Sequence, residues 1–393
     1  MNMKNFKSVL ALALALCLTL ALAACGGTPA ASTAPAASTA EGGESTAPEA
    51  TGDMLHVGIV TSSGVDDGSF GQDCYNGILG FIEANPGATE NHVKEPDVGK
   101  VVQAVADVIA DYDAMVMPGF QFNAAGPIAI DNPDKFFILV DAYPVDADGE
   151  EIELDNMYAM QFKEQESGFL AGVAAALQTN TGKVAVVNGM AFPSNVNYQY
   201  GFMSGVEYAN KHYGTTAECV ELPSYAGTDV TGAAVGGNYV GAFADQPTGK
   251  LVGEALIAEG VDIMLVAAGD SGNGVFAAVK EAGDDIYVIG CDVDQYDDGE
   301  TGTRNIVLTS ALKVMAPQIS LQLQLAQDGK FVGQNALLGA AEGGTGIVVD
   351  DGRHQLTDDT IAKLTECFEA IADGSIVPAA NFNGHTPADF PGL

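Results

Sequence analysis

From about residue 54 onward, short apolar runs alternate with amphipathic stretches. Leu55–Thr61, Ala114–Met117, Phe136–Asp141 and Met157–Phe162 are strand-length apolar segments, and helices are predicted after Phe70, after Met117 and over Glu164–Gln178. The rhythm then repeats. Strands are predicted at Val184–Asn188, Cys219–Leu222, Ile263–Ala267 and Tyr287–Gly290, and helices through Tyr200–His212, through Gly249–Ala258 and from Val275. Strand–helix alternation with nearly all-apolar strands implies parallel sheets covered on both faces. Two such blocks predict an α/β fold of two doubly wound parallel-sheet lobes with a ligand cleft between them. The expected division is 54–165 plus about 294–330 for lobe I, and 166–293 plus about 331–393 for lobe II.

The first residues change the picture of location. Lys4 and Lys7 precede an apolar run from Val9 to Ala24 that ends in Leu22-Ala23-Ala24-Cys25 and two glycines. A charged start, a short apolar run and small residues before the cut make residues 1–24 a secretory signal peptide. The run is short for a spanning helix and lacks a basic stop-transfer flank, although an ordinary N-terminal anchor is the other reading. The Leu-Ala-Ala-Cys sequence resembles the bacterial lipobox, which implies lipidation of Cys25. Residues 25–53 are rich in Thr, Ala, Pro, Ser, Gly and Glu, have little to bury, and are expected to form a flexible tether.

Charge excludes one class of partner. The chain carries a formal net charge of −37 and only two arginines, Arg304 and Arg353, so no basic stripe exists for a nucleic-acid backbone. Beyond Cys17 and Cys25, the cysteines Cys74, Cys219, Cys291 and Cys367 show no C-x-x-C spacing. Isolated buried thiols are expected over disulfides. The five histidines are scattered without ligand spacing, so no metal site is expected and no cofactor is implied. No G-x-S-x-G elbow is present, and Asp292–Gly299 places Tyr296 and Asp297 where a calcium loop needs an oxygen ligand and a glycine. Gly272-Asn273-Gly274-Val275-Phe276-Ala277, with Asp292 twenty residues after its first glycine, has the form of a dinucleotide fingerprint. Four residues separate it from the preceding strand, whereas the fingerprint requires its turn at the strand end.

What remains is chemistry placed just after strand ends, where open α/β sheets present their ligand loops. Ser62–Gln72 follows the first strand and opens the first helix, with Phe70 set among polar neighbours. That residue reads as a ligand contact or as a packing staple at the helix start.

Val57-Gly58-Ile59-Val60-Thr61 followed by Gly64-Val65-Asp66-Asp67-Gly68-Ser69-Phe70 resembles the opening of the basic membrane protein family, the purine nucleoside receptor-like lipoproteins of bacterial ABC importers. The likeness continues through Gln165–Val173, Gly189-Met190, Gly201-Phe202, Gly241–Asp245, Ala267–Gly269, Ile289–Gln295 and Thr309–Lys313. The resemblance implies a type I periplasmic-binding-protein-like fold and a base stacked between Phe70 and Phe243. It also implies a backbone contact at Gly269 and ribose contacts from Asp292 and Lys313. Aromatic faces suit a flat neutral base, and a carboxylate suits a diol. Asp67, Gln72 and Glu166 are candidate contacts to the base edge, or else helix caps or surface residues. The chain departs from the family pattern at Ser62, at Gly71, where Asn is usual, and over Leu222–Asn238, which has the form of an insertion.

The resulting expectation is a monomeric, lipid-anchored solute-binding protein at the extracytoplasmic face of the cell membrane. It would bind guanosine, inosine or adenosine, hand the nucleoside to an ABC permease and catalyse nothing. Two rivals stay open: an exported nucleoside hydrolase using Asp66, Asp67 and Asp292, and a surface sensor with the same cleft.

Overall fold

The computed structural model describes residues 54–393; the expected leader, the tether and Cys25 lie outside the described residues. The first half builds β1 (His56–Thr61), α1 (Phe70–Ala84), β2 (Thr89–Lys94), α2 (Val101–Val108), β3 (Ala114–Pro118), α3 (Gly126–Asp131), β4 (Phe136–Val140) and β5 (Met157–Phe162). There follow α4 (Glu164–Gln178), β6 (Lys183–Asn188), α5 (Pro193–Tyr213), β7 (Glu218–Cys219), β8 (Gly227–Thr228) and β9 (Ala234–Gly236). The chain continues with α6 (Gln246–Ala258), β10 (Ile263–Ala267), α7 (Asp270–Glu281), β11 (Tyr287–Asp292) and β12 (Val307–Lys313). It ends with α8 (Ala316–Gln327), β13 (Gln334–Leu338), β14 (Thr345–Ile347) and α9 (Asp358–Ala372).

Two six-stranded sheets form, in the orders β13-β5-β4-β3-β1-β2 and β14-β12-β11-β10-β6-β7, and β8-β9 is a separate hairpin. The first sheet is parallel throughout, with Val57 opposite Ala114 and Ala114 opposite Phe136. The second is parallel except for β14, which runs antiparallel to β12. Central strands such as β3, β4 and β10 are buried at every position because helices cover both sheet faces. The edge strands β2 and β13 are half exposed and carry little apolar pattern, and neither is legible from hydropathy.

The lobe boundaries differ from the expected segments. Val307–Lys313 pairs directly with β11 in the second sheet, so residues 294–313 belong to lobe II and not to lobe I. Gln334–Leu338 pairs with β5 in the first sheet, so it belongs to lobe I and not to lobe II. The chain therefore crosses between lobes at 162–164, 313–316 and 338–345.

The first turn of α4 joins all three crossings. Lys163 N donates to Leu338 O at 2.9 Å. The Ser167 hydroxyl donates to Leu312 O at 2.7 Å and accepts from Gly346 N at 3.0 Å. Glu166 Oε2 accepts from Ala340 N at 2.6 Å and from the Thr345 hydroxyl at 2.8 Å. Further along, α4 and α5 pack backbone to backbone: a Cβ at Gly172 or Gly205 would strike the carbonyl of Phe202 or Phe169. The small residues of the Gln165–Val173 motif thus serve helix packing as well as the crossings.

Close packing also accounts for the glycines of the G-x-G-x-x-A sequence, Gly274 against the backbone of a neighbouring helix and Gly272 against the Val266 side chain of β10. They lie inside α7, where a Cβ at Gly274 would collide with the Gln246 carbonyl of α6. That helix starts at Asp270, a turn earlier than its apolar pattern indicates. Cys74, Cys219, Cys291 and Cys367 are all free thiols, three of them buried. No described helix is long and apolar enough to cross a membrane.

Candidate ligand-binding site

The C-terminal ends of both sheets face one cleft enclosing about 480 Å³ of free space, its mouth included. Lobe I lines it with Ser62 and Ser63 after β1, Phe120 and Gln121 after β3, Asp141 after β4, and Phe70 at the start of α1. Lobe II adds Phe192, Asn195 and Tyr198 around the start of α5, together with Phe243, Gly269 after β10, Asp292 ending β11 and Lys313 ending β12. Phe70, Phe243, Gly269, Asp292 and Lys313, scattered over some 240 residues of sequence, therefore share one cleft.

The aromatic part is larger than the sequence indicates. Phe120 and Phe192 have ring centroids 5.4 Å apart, and Phe192 and Phe243 5.8 Å apart, both tilted, so three rings form a continuous apolar wall drawn from both lobes. The Phe243 ring lies on Gly189, where any Cβ would strike it. Phe70 stands with the Lys313 ammonium 4.6 Å from its ring centroid, a cation–π distance.

The polar part is a buried charge cluster. Lys313 Nζ lies 2.7 Å from Asp141 Oδ2, 3.6 Å from Asp292 Oδ1 and 3.8 Å from Glu164 Oε1, with its side chain only 2% exposed. Burial alone would lower the lysine pKa, yet the fields of Asp141, Asp292 and Glu164 hold it above its ordinary value. Burial pushes Asp141 upward against the opposing pull of Lys313. Glu164 is raised to about 8, first by burial and then by the charge of Asp141. The centre that a cation would occupy among three carboxylates is thus filled by a lysine ammonium, and among the described residues no His/Cys/Asp/Glu group is arranged to hold a metal.

Asp141 and Asp292 share a backbone peculiarity. Both adopt left-handed φ values, 64° and 71°, which strand-end aspartates tolerate better than most residues. Asp292 accepts from the Ser69 hydroxyl at 2.9 Å and from the Tyr198 hydroxyl at 3.1 Å. Asp141 is different: its Oδ2 meets Lys313 and the Ser194 side chain also draws on the carboxylate, but its Oδ1 is buried without a well-formed hydrogen-bond partner. A desolvated acceptor left unpaired is costly, and a ligand hydroxyl or N–H at that position would remove the cost.

Three expected contacts lie elsewhere. Asp67 does not line the cleft: its oxygens accept from the Ser63 hydroxyl and from the backbone N–H groups of Ser69, Gly71 and Gln72, organising the start of α1. Gln72 Oε1 accepts from Gly68 N and secures the same loop. Glu166 is committed to the interlobe crossing described above. The departure at Gly71 has a steric cause, because a Cβ there would overlap the Gly64 carbonyl as the loop doubles back. Lobe II grips this loop through Gln295 Nε2 to Gly68 O at 3.0 Å and Asn273 Nδ2 to Asp67 O at 3.2 Å.

Residues that the sequence reading missed are Asp141, Phe120, Phe192 and Tyr198. Asp141 was visible as the polar end of an apolar run, the same signal that marks Asp292. Phe120 and Phe192 each follow a strand by a few residues, but nothing local announces that they meet across two lobes.

Neither arginine reaches the cleft. Arg304 donates to the carbonyls of Val279, Gly283, Asp284 and Ile286, and Arg353 staples Asp294 and Asp297, closing the segment that has the look of a calcium loop.

Comparison with known proteins agrees with this architecture. The family model for PnrA-like ABC transporter substrate-binding proteins (Bmp) matches residues 54–222 and 231–380. A Listeria monocytogenes protein described as a CD4+ T-cell-stimulating antigen is 28% identical over 343 residues, covering 81% of this chain and 87% of that protein. The ABC transporter nucleoside-binding protein BmpA of Lactococcus lactis is 26% identical over 346 residues, covering 82% of this chain and 88% of its own. Among solved structures, an ABC transporter solute-binding protein from Aeropyrum pernix K1 superposes with a TM-score of 0.69 at 23% identity, covering 84% of this chain and 94% of that one. The fold is accordingly that of the type I periplasmic binding proteins. With the family model spanning both lobes, the crossings and the cleft, the chain belongs to the Bmp family of PnrA-like ABC transporter substrate-binding proteins.

Proposed function

We propose that this protein is the lipid-anchored, extracytoplasmic receptor of an ABC importer, and that it closes as a monomer around a purine nucleoside and delivers it unchanged to the permease. The observation that carries the reading is the Asp141 Oδ1, buried without a well-formed hydrogen-bond partner beside Lys313 and Asp292 in a cleft that also presents the rings of Phe70, Phe120, Phe192 and Phe243. Rings accept the face of a base, and carboxylates accept from ribose hydroxyls. Phosphate or a free carboxylate would call for arginine forks, and both arginines are engaged in lobe II away from the cleft. The name of the Lactococcus relative, a nucleoside-binding protein, supports the same ligand class. The rival hydrolase loses force because Asp67 is consumed by its own loop. A sensor would use the same cleft; delivery to a permease is the role of the family.

Calorimetry with inosine, 2′-deoxyinosine and hypoxanthine tests the ribose assignment. Inosine is expected to bind more tightly than the deoxynucleoside by about 1–3 kcal/mol, the cost of leaving a buried acceptor unpaired, and Asp292→Ala should narrow that gap. Equal affinity for hypoxanthine and inosine would sink the ribose contacts, and release of free base during the titration would restore the hydrolase. For the anchor, intact mass of the membrane-extracted protein is expected to show a lipidated Cys25 as its first residue, with Cys25→Ala released from the membrane. An unlipidated membrane form would overturn that assignment.

A further inference from the structure

Between β7 and Tyr239 the chain leaves the second sheet, folds the β8–β9 hairpin and returns. Residues 223–230 of this excursion, which include β8, fall between the two segments of the family match, while β9 and Tyr239 lie inside the second. Asn238 stitches its ends: Oδ1 accepts from Leu222 N at 2.7 Å, while Nδ2 donates to Val186 O at 2.9 Å and Val220 O at 3.0 Å. The next residue, Tyr239, is buried against Ala191 and Val196, on either side of Phe192 in sequence. Its hydroxyl donates to Gln199 Oε1 at 2.5 Å, and Gln199 Nε2 donates to Val235 O in β9 at 2.8 Å. From β8, Gly227 lies so close to the same ring that a Cβ would stand 2.5 Å from two of its carbons and 3.2 Å from the Ala191 Cβ.

The backbone beyond Tyr239 continues the connection. Val240 N and Gly241 N donate to the carbonyls of Asn188 and Gly189 at 2.9 and 2.8 Å, and two residues later Phe243 lays its ring on Gly189. The hairpin thus reaches Phe192 through the Tyr239 ring and Phe243 through the Tyr239 main chain. Neither Tyr239, Gln199 nor the hairpin lines the cleft.

We propose that the β8–β9 hairpin sets the position of the Phe192–Phe243 wall, with Tyr239 as the positioning residue, and thereby the size of base that the cleft accepts. The selectivity half rests on the nucleoside reading above; the positioning half does not. The test uses protein labelled with 4-fluorophenylalanine, with Tyr239→Leu removing the ring, Gly227→Ala pressing on it from the hairpin, and Tyr239→Phe retaining it. Fluorine NMR is expected to show the Phe192 and Phe243 resonances displaced in the first two variants and near their original positions in Tyr239→Phe. Calorimetry should show the ratio of inosine to uridine affinity changed by about tenfold, the scale of pocket-shape discrimination, with the ribose-to-deoxyribose ratio unchanged. Unmoved resonances in folded variants would overturn the positioning role. Moved resonances with both nucleosides weakened by one common factor would overturn the selectivity role. Wild-type protein that binds neither nucleoside would sink the ligand reading and the selectivity with it, while the fluorine shifts would still decide the positioning.

Discussion

Lys313→Met is expected to be the most damaging single substitution in the cleft, lowering stability by roughly 3–5 kcal/mol, the cost of removing one partner from a buried ionic group. The methionine fills similar space but leaves Asp141, Glu164 and Asp292 facing one another without a cation. The loss has a definite pH dependence. Ionised carboxylates create the penalty and the lysine of wild type keeps its charge well into alkaline solution, so the deficit relative to wild type grows as pH rises through about 8 and shrinks as pH falls toward the ordinary carboxylate range. Glu164 supplies the companion experiment. Its folded pKa, raised to about 8 by burial and Asp141, means that its contribution to stability is present in full below its unfolded pKa and is lost as pH rises through about 8. Glu164→Gln should therefore match wild type only below about pH 4.5, pull ahead of it as pH rises from there to about 8, and keep that advantage above pH 8. Denaturant melts across this range decide both; a Lys313→Met deficit that stays constant with pH would mean that charge compensation is not what the lysine supplies.

Phe243→Ala is expected to weaken nucleoside binding by about 1–3 kcal/mol, tenfold to a hundredfold, on the scale of base–aromatic stacking. The ring is one of three in the wall, so its removal takes the stacking surface away and leaves Phe192 without its neighbour at 5.8 Å. Phe70→Ala should cost a similar amount and also expose one face of the Lys313 ammonium. Calorimetry on variants whose melting is unchanged separates binding from folding. Full affinity in a folded Phe243→Ala protein would remove that ring from the ligand.

Much of this architecture was legible because parallel sheets write themselves as apolar runs: β1, β3, β4, β6 and β10 are buried along nearly their whole length. The lobe boundaries were not. β13 is a polar edge strand whose partner β5 precedes it by more than 170 residues, and no local pattern records such a pairing. The same limit governs the site. Phe70, Asp292 and Lys313 could be named from motifs, and the fold gathers them in one cleft. Asp67 and Glu166 belong to equally regular motifs, yet their oxygens are turned toward a loop and a crossing. A motif marks a residue that the fold needs without saying whether it is needed by the ligand or by the backbone. Asp141 shows the converse, since a single strand-end aspartate gains its meaning only when Lys313 arrives from the other lobe.

The clasp at the head of α4 has a mechanical meaning. Three strands of chain pass between the lobes, and Glu164, Glu166 and Ser167 hold them within one helical turn. Rotation of one lobe against the other must pivot at that turn, because a fulcrum elsewhere would break those bonds together. Lys313 is the last residue of β12 before its crossing and also lines the cleft, so it stands at the pivot and in the grip at once. A ligand that draws on Asp141 pulls at the axle of the molecule, where a small displacement becomes a wide swing at the rim.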